Sequence, residues 1–418
     1  MPLDFVTFVL RNGTEKIPFW SVLKTYGPYV VGVSLLKRFF SGASNTWERE
    51  MHGRVVMITG GTSGIGQAVA EDLAQRGAQL IFLTRSLSDA FLIDYIAELR
   101  ERTDNQLIYA EEVDLADLHS IRLFATKWLD NSPPRRLDTL VCCAAVCQPP
   151  FKARRFTADG VESQYGINYL GHYHLITLLS PAFRVQPADR DVRIVVAGCS
   201  SYVLADFDIS DPAFVSRPYP ASQPWKVFGS SKLALLMFIR EFQRSLDSYQ
   251  RPDKQSNNAR ISLANPGFSR SPSSRNYLTL GSLWGLFFYL ILWPFWWLVL
   301  KSPSQGAQTI LHAIMNPDGA QGQGGKIYRE CTVMTKPLPM KIANDEEISK
   351  KLFEDTATMI KDLENASALR RKNEGQTKKN GQEKIVEVPS ATGSTMSGST
   401  TSGSQKKKRS SKVTSKKT

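Results

Sequence analysis

Cysteine and histidine are scarce, five of each in 418 residues. Cys142, Cys143, Cys147, Cys199 and Cys331 are odd in number and stand mostly on apolar runs predicted as strands. That excludes a disulfide framework and predicts reduced thiols facing the cytosol. Zinc-type spacing is missing, and His172 and His174, two apart, fall on different faces of a helix, so no metal site is expected. A cleavable export signal is not expected either, since no small-residue site follows the apolar N-terminal stretch and a cytosolic-type fold begins at Arg54. Acidic charge is short: 39 Asp plus Glu against 52 Lys plus Arg gives a net +13. Residues 370–418 alone carry thirteen cations and three glutamates, a net of +10, so the rest of the chain holds only +3. A specific nucleic-acid partner is therefore not expected of the globular part.

What is present centres on T-G-G-T-S-G-I-G, that is Thr59, Gly60, Gly61, Thr62, Ser63, Gly64, Ile65 and Gly66. An apolar run from Arg54 to Ile58 precedes it as a buried strand, and a segment of helical spacing ending at Gly77 follows. Without Cβ atoms at Gly60, Gly64 and Gly66, backbone N–H groups can approach a pyrophosphate, and the new helix aims its positive end at the charge. Glycines at this spacing also close tight turns. The strand before and the helix after favour a dinucleotide.

The alternation of strands and helices then runs unbroken to about Tyr328, which predicts one core, an α/β doubly wound parallel sheet. Gln79 to Ser86 is the second strand, and Arg85 stands at its carboxyl end with no acid beside it. A cation there accommodates a 2′-phosphate, so NADP(H) is favoured over NAD(H); the plainer reading is a solvated Arg at a strand end. Further predicted elements are a helix from Asp89 to Arg102, a third strand leading to Asp114, and a helix from Ser120 to Asp130. A fourth strand from Thr139 to Val146, a long helix from Val161 and a fifth strand from Arg193 to Tyr202 complete this part. Asp114 is placed beside the adenine.

Three segments lie outside this pattern. Residues 1–50 hold apolar patches at Phe5 to Leu10 and Pro18 to Phe40, with Lys37 and Arg38 at the end, which fits an interfacial membrane segment. The alternative is a helix packed on the core's own surface. Residues 276–300 carry no charge and are bracketed by Arg275 and Lys301. They could span a bilayer by length, but the motifs after Gln305 must rejoin the same domain, so a hairpin or kinked helix dipping into one leaflet is expected. The alternative there is a buried dimer helix, which leaves a homodimer open. With the core domain at 51–364, residues 365–418 are predicted to be a disordered basic tail ending in Lys406 to Arg409 and beyond.

The motifs Thr59–Gly66, Asp114–Leu115, N-Y-L-G-H (Asn168 to His172), G-S-S-K-L-A (Gly229 to Ala234), N-P-G-F-S-R-S (Asn265 to Ser271), Q-G-A-Q-T (Gln305 to Thr309) and G-K-I-Y (Gly325 to Tyr328) occur in one order. In them the chain resembles the short-chain dehydrogenase/reductases, in their retinol-dehydrogenase-like, membrane-associated branch, from about Val55 to Leu363. The resemblance implies a Rossmann fold. It implies a cofactor site formed by Thr59 to Gly66, Arg85, Asp114, Leu115, Ala144, Lys232, Pro266, Gly267 and Ser269. It also implies a proton-transfer set of Ser, Tyr and Lys in the order Ser…Tyr-x-x-x-Lys, helped by an Asn.

Lys232 and Asn168 match that set, but four residues before Lys232 stands Phe228, a ring with no proton to give. Cys199 takes the serine's place, and Ser200 reaches it only through a bulge. The family's Asn-Asn-Ala-Gly is replaced by Cys142, Cys143, Ala144 and Ala145. A missing general acid lowers rates by about 10²- to 10⁴-fold. Tyr219, Tyr202, a water relayed through Lys232 and the Cys199 thiol are the substitutes open to it. By resemblance the chain is expected to interconvert a lipophilic alcohol and its ketone or aldehyde on a cytosol-facing membrane, endoplasmic reticulum or lipid droplet. The rival reading is a non-catalytic nucleotide-binding scaffold on that membrane.

Overall fold

The computed structural model describes Arg11, residues 20–319 and residues 322–386. The apolar patch at Phe5 to Leu10 and the lysine-rich end at 387–418 lie outside the described residues. Helix α1 (Trp20–Ser41) runs through Pro28 and leads to β1 (Val55–Thr59), buried at every position. A central parallel strand is covered on both faces, so it reads as a continuous apolar run rather than an alternating one. Next come α2 (Gly64–Gln75), β2 (Gln79–Thr84), α3 (Ala90–Thr103), β3 (Ile108–Glu112), α4 (Leu118–Leu129) and β4 (Thr139–Cys142). Asp89 and Asp117 cap α3 and α4 by accepting from Phe91 N and His119 N.

Helix α5 is composite: Ser163–Tyr165, a π-helical turn Gly166–Gly171, then His172–Leu178. β5 (Val192–Ala197) is followed by a 3₁₀ turn at Ser200–Leu204, then α6 (Pro224–Ser248) and β6 (Ala259–Asn265). The sheet order is β3-β2-β1-β4-β5-β6, extended by β7 (Lys326–Arg329) and β8 (Thr332–Val333). All neighbours are parallel except β7 and β8. The order reverses between β1 and β4, and the carboxyl ends of those two strands open the crevice where such sheets take ligands.

Between β6 and β7 lie α7 (Pro272–Leu278), α8 (Leu283–Ile291), α9 (Trp293–Val299) and α10 (Pro303–Met315). One apolar cluster on the sheet joins α4, α5 and α6, and the other joins α2, α3 and α10. The last helix, α11 (Glu346–Val386), adds Leu352 and Ile360 to the first cluster. Its Phe353 packs on Tyr173 and Phe238, ring centroids 5.3 and 6.0 Å away, so the outer faces of α5 and α6 are already covered.

Two expectations change here. The fourth and fifth strands end early, at Cys142 and Ala197, because the chain must leave the sheet to form the crevice. Helix α11 continues to Val386, so residues 365–386 are helical rather than structureless. Burial is not needed to extend a helix that the core has already nucleated, and Lys, Glu, Gln and Arg are good helix formers. Residues to Ser367 form one unit, and those from Ala368 a second.

Candidate active site

The cradle is built where β1 bends into α2. Gly60 has φ +65, and a Cβ there would lie 2.8 Å from Ala144 N and Cα. At Gly66 a Cβ would lie 2.2 Å from Gly60 O, so the turn can close only over bare backbone. Ser63 begins α2 without capping it by its side chain, which leaves first-turn N–H groups for a ligand. Thr59 ties the cradle to β4: its carbonyl accepts from Cys143 N and its hydroxyl from Ala144 N, both at 3.2 Å.

The other predicted cofactor residues gather on the same rim. Arg85 is exposed just beyond β2. Asp114 Oδ1 accepts from Ala116 N at 2.9 Å, and Leu115 packs against Gly171 of α5. Gly267, after Pro266, takes φ +76 and donates its N–H to Asn265 Oδ1 at 3.0 Å. Ser269 Oγ is buried with no partner, and a Cβ on Gly306 would meet both that oxygen and Ile65 of the cradle. An orphaned hydroxyl beside an uncapped helix start fits a nicotinamide dinucleotide, which would satisfy both.

Lys232 is buried, 4% exposed, and donates to Ala197 O at 3.1 Å from the end of β5. Its ammonium lies 5.8 Å from the centre of the half-buried Phe228 ring, one helical turn away. Burial lowers the Lys232 pKa, opposed by the nearby thiols, Cys199 foremost and then Cys143, Cys142 and Cys147. Burial in turn pushes the Cys143 and Cys147 thiols up to about 12, so both are neutral. None of the five cysteines is paired.

Asn168 lies in the π turn of α5, and its side chain is committed. Oδ1 accepts from Val146 N at 2.7 Å, and Nδ2 donates to Val146 O at 2.9 Å and Ser231 Oγ at 3.2 Å. It staples the strand-end loop to α6. Beneath it, His172 is 1% exposed, with Nδ1 3.2 Å from Asn168 O and Nε2 3.2 Å from Thr59 Oγ1. A carbonyl can only accept, so the proton sits on Nδ1, and the Thr59 hydroxyl donates to Nε2. Burial and then the Lys232 charge hold the His172 pKa down to about 4. In the sequence His172 stands out as a non-ligand and as the end of the N-Y-L-G-H motif; its place in this network became visible only with the π turn.

Of the two predicted serine-site residues, Cys199 lies two residues beyond Ala197, whose carbonyl accepts from Lys232 Nζ, and it raises the Lys232 pKa. The Ser200 hydroxyl instead accepts from Asn265 Nδ2 at 2.8 Å, because beyond Ala197 the chain has left the pleat and winds into a 3₁₀ turn. Tyr219 is also engaged. Its hydroxyl sits 3.3 Å from Gln148 Oε1 and 3.4 Å from both Glu162 Oε1 and Gln164 Nε2, and burial followed by Glu162 raises its pKa. Tyr202 is buried in the 3₁₀ turn.

The loop after β6 leads into the apolar insert and takes it back at the same point. Lys301 N donates to Phe268 O and Arg270 N to Lys301 O, both at 2.9 Å. Between them α8 and α9 meet at Leu292, just before Pro294, and expose Leu283 (86%) and Trp284 (75%). Helix α1 joins this surface, with Tyr29 and Phe39 open. Lys37 Nζ donates to Trp297 O at 2.6 Å and Leu300 O at 3.2 Å, closing the end of α9 with a cation. Arg270 lies 6.0 Å from the Trp293 ring centre. The end of α1 also meets α10, where Gln305 Nε2 donates to Ser41 Oγ at 2.8 Å, while most of its apolar side chains stay exposed. Among the described residues no helix is long and apolar enough to cross a membrane.

The family profile described as short chain dehydrogenase matches residues 54–202. The chain is 43% identical over 365 residues to an uncharacterized oxidoreductase, pbr1, of Schizosaccharomyces pombe, covering 87% of this chain and 96% of that one. It is 29% identical over 334 residues to retinol dehydrogenase 13 of Mus musculus, covering 80% and 92% of the two chains. A crystal structure of an uncharacterized Mycobacterium paratuberculosis protein superposes with a TM-score of 0.53 at 24% identity, covering 77% of this chain and 98% of that one, which bears on the fold.

Proposed function

Because the chain belongs to the short-chain dehydrogenase/reductase family, in its retinol-dehydrogenase-like branch, we propose that it is a membrane-bound, NADP(H)-dependent oxidoreductase interconverting a lipophilic alcohol and its carbonyl. The observation that carries this reading is the cradle: an uncapped helix start, two glycines that admit nothing larger, and the unpaired Ser269 hydroxyl. When bound, the cofactor supplies or accepts the hydride. The chain's own residues do the rest. The amides from Gly60 to Gly66 hold the pyrophosphate, Asp114 and Leu115 flank the adenine, and Arg85 faces the 2′-phosphate. Lys232 presents a buried cation at the reacting end, and Asn168 with His172 fixes the loop above it.

Support for the membrane is the joint apolar surface of α1, α8 and α9, ringed by Lys37 and Arg270. Aromatic rings with cations at the rim suit the headgroup level of one leaflet. The insert begins five residues beyond the Asn265–Ser271 loop that closes the site, so a lipophilic substrate would arrive from the lipid side. Unpaired cysteines accord with a cytosolic face, on the endoplasmic reticulum or a lipid droplet.

Phe228 favours a second reading, a nucleotide-binding scaffold. The deciding experiment titrates the full chain with NADPH and NADH, then follows NADPH oxidation against a panel of long-chain aldehydes and ketones. Tight NADPH binding with turnover, and about tenfold weaker NADPH but unchanged NADH binding in Arg85→Ala, support the enzyme. Binding without turnover, with activity gained by Phe228→Tyr, leaves only the scaffold.

A further inference from the structure

The hydroxyl that Phe228 lacks has another source in the fold. Helix α7 lies across the mouth of the site. Its Pro272 comes within 3.1 Å of where a Cβ on Gly64 would stand, and its Ser273 Oγ donates to Ala145 O at 3.2 Å. Just past the helix, Gly281 abuts Pro149. Ser273 therefore faces the crevice, and Tyr277, four residues on, projects from the same face of α7. Its ring meets Trp225 edge-on, with centroids 6.5 Å apart and planes at 80°. Trp225, Phe228 and Lys232 are spaced by three and four on α6, so the ring that Tyr277 touches belongs to the stripe that carries the missing phenol and the retained lysine.

The hydroxyl of Tyr277 carries no hydrogen bond among the described residues, unlike that of Tyr219. Burial and then Cys147 raise its pKa, and Cys147 follows Val146 in the strand-end loop that Asn168 fixes beside α6. A half-buried phenol at the edge of the site stays protonated at neutral pH and can refill from water.

We propose that Tyr277, carried on the α7 lid, is the proton donor that replaces the tyrosine absent at Phe228; this rests on the oxidoreductase reading above. In reduction the carbonyl carbon accepts the hydride that NADPH supplies, and the C=O π pair moves onto oxygen. The Tyr277 O–H bond breaks to protonate that oxygen, and the phenolate takes a proton from water. Oxidation runs the same transfers backwards. Residues 272–278 lead straight into α8 and α9, so the donor enters with the element that faces the lipid.

The test uses the full chain in lipid, with NADPH and long-chain aldehydes. Tyr277→Phe is expected to lower kcat by about 10²- to 10⁴-fold, while its melting temperature and NADPH affinity stay unchanged. Tyr277→Phe combined with Phe228→Tyr is expected to return to within about tenfold of wild type. A readout independent of turnover is the phenolate absorbance of wild type minus Tyr277→Phe. Its midpoint should lie above the ordinary tyrosine value and rise further in Lys232→Met. Turnover within about threefold of wild type in Tyr277→Phe, or a phenolate midpoint unmoved by Lys232→Met, overturns the proposal. Wild type that binds NADPH but is inert, with Phe228→Tyr active, overturns it together with the oxidoreductase reading and leaves the scaffold, whereas turnover in wild type that Tyr277→Phe leaves intact overturns it alone. Inertness in both proteins removes the underlying reading as well.

Discussion

Replacing His172 by Gln should flatten the pH dependence of folding stability below neutrality. In the native chain the imidazole is enclosed between Thr59, Asn168 and the charge of Lys232, with a pKa near 4 against 6.5 in the unfolded chain. Between those two values the unfolded chain binds more protons than the folded one. The contribution is therefore complete above about pH 6.5 and is lost as pH falls through the window toward 4. From the two pKa values the loss is about 2 kcal/mol at about pH 5, and about 3 kcal/mol below pH 4. Urea unfolding followed by tryptophan fluorescence, at about pH 7.5 and about pH 5, measures it in both proteins. Subtracting the variant's pH slope from that of wild type cancels the carboxylates. Among those cancelled is Glu162, whose pKa is raised mainly by burial and which acts with the opposite sign. The absolute stability cost of the substitution does not enter. Equal slopes in the two proteins would refute the buried neutral imidazole and the proton placement derived from it.

Two further outcomes follow from the same geometry. Gly66→Ala places a Cβ on Gly60 O, and the overpacking should weaken NADPH binding by on the order of 100-fold, read by quenching of protein fluorescence. Changing Trp284, Phe287 and Phe288 together to Ser removes three exposed rings of α8 and should reduce partition onto vesicles by more than about 100-fold in a flotation assay, with NADPH affinity retained. Equal flotation of the two proteins would leave the apolar surface without a lipid role.

Much of the cradle was legible in the sequence because its demands are local. A buried strand, glycines where a Cβ cannot fit and a helix starting at once are all written within a dozen residues. Lys232 was equally legible, standing at the head of an apolar helical stripe. What could not be read were the places where the chain departs from a repeating pattern. The end of β5 at Ala197 depends on where the sheet stops, and it decides that Ser200 turns to Asn265 while Cys199 stays near Lys232. The π turn at Gly166–Gly171 looks like ordinary helix in its residue spacing, yet it sets Asn168 against Val146. Tyr277 went unnoticed because it lies far from Lys232 in sequence. The signal was there in Ser271-Pro272, a helix start directly after the loop that closes the site, with Ser273 and Tyr277 one turn apart.

The paired amides at Phe268, Arg270 and Lys301 give the chain a drawstring. Thirty residues pass out and return through an opening fastened by two backbone bonds. Such an excursion can be lengthened, shortened or traded between relatives without disturbing the strands on either side. Splicing Arg270 to Lys301 through a short turn and removing α1 as well should give a water-soluble body that still grips its coenzyme, separating the grip from the chemistry within one polypeptide.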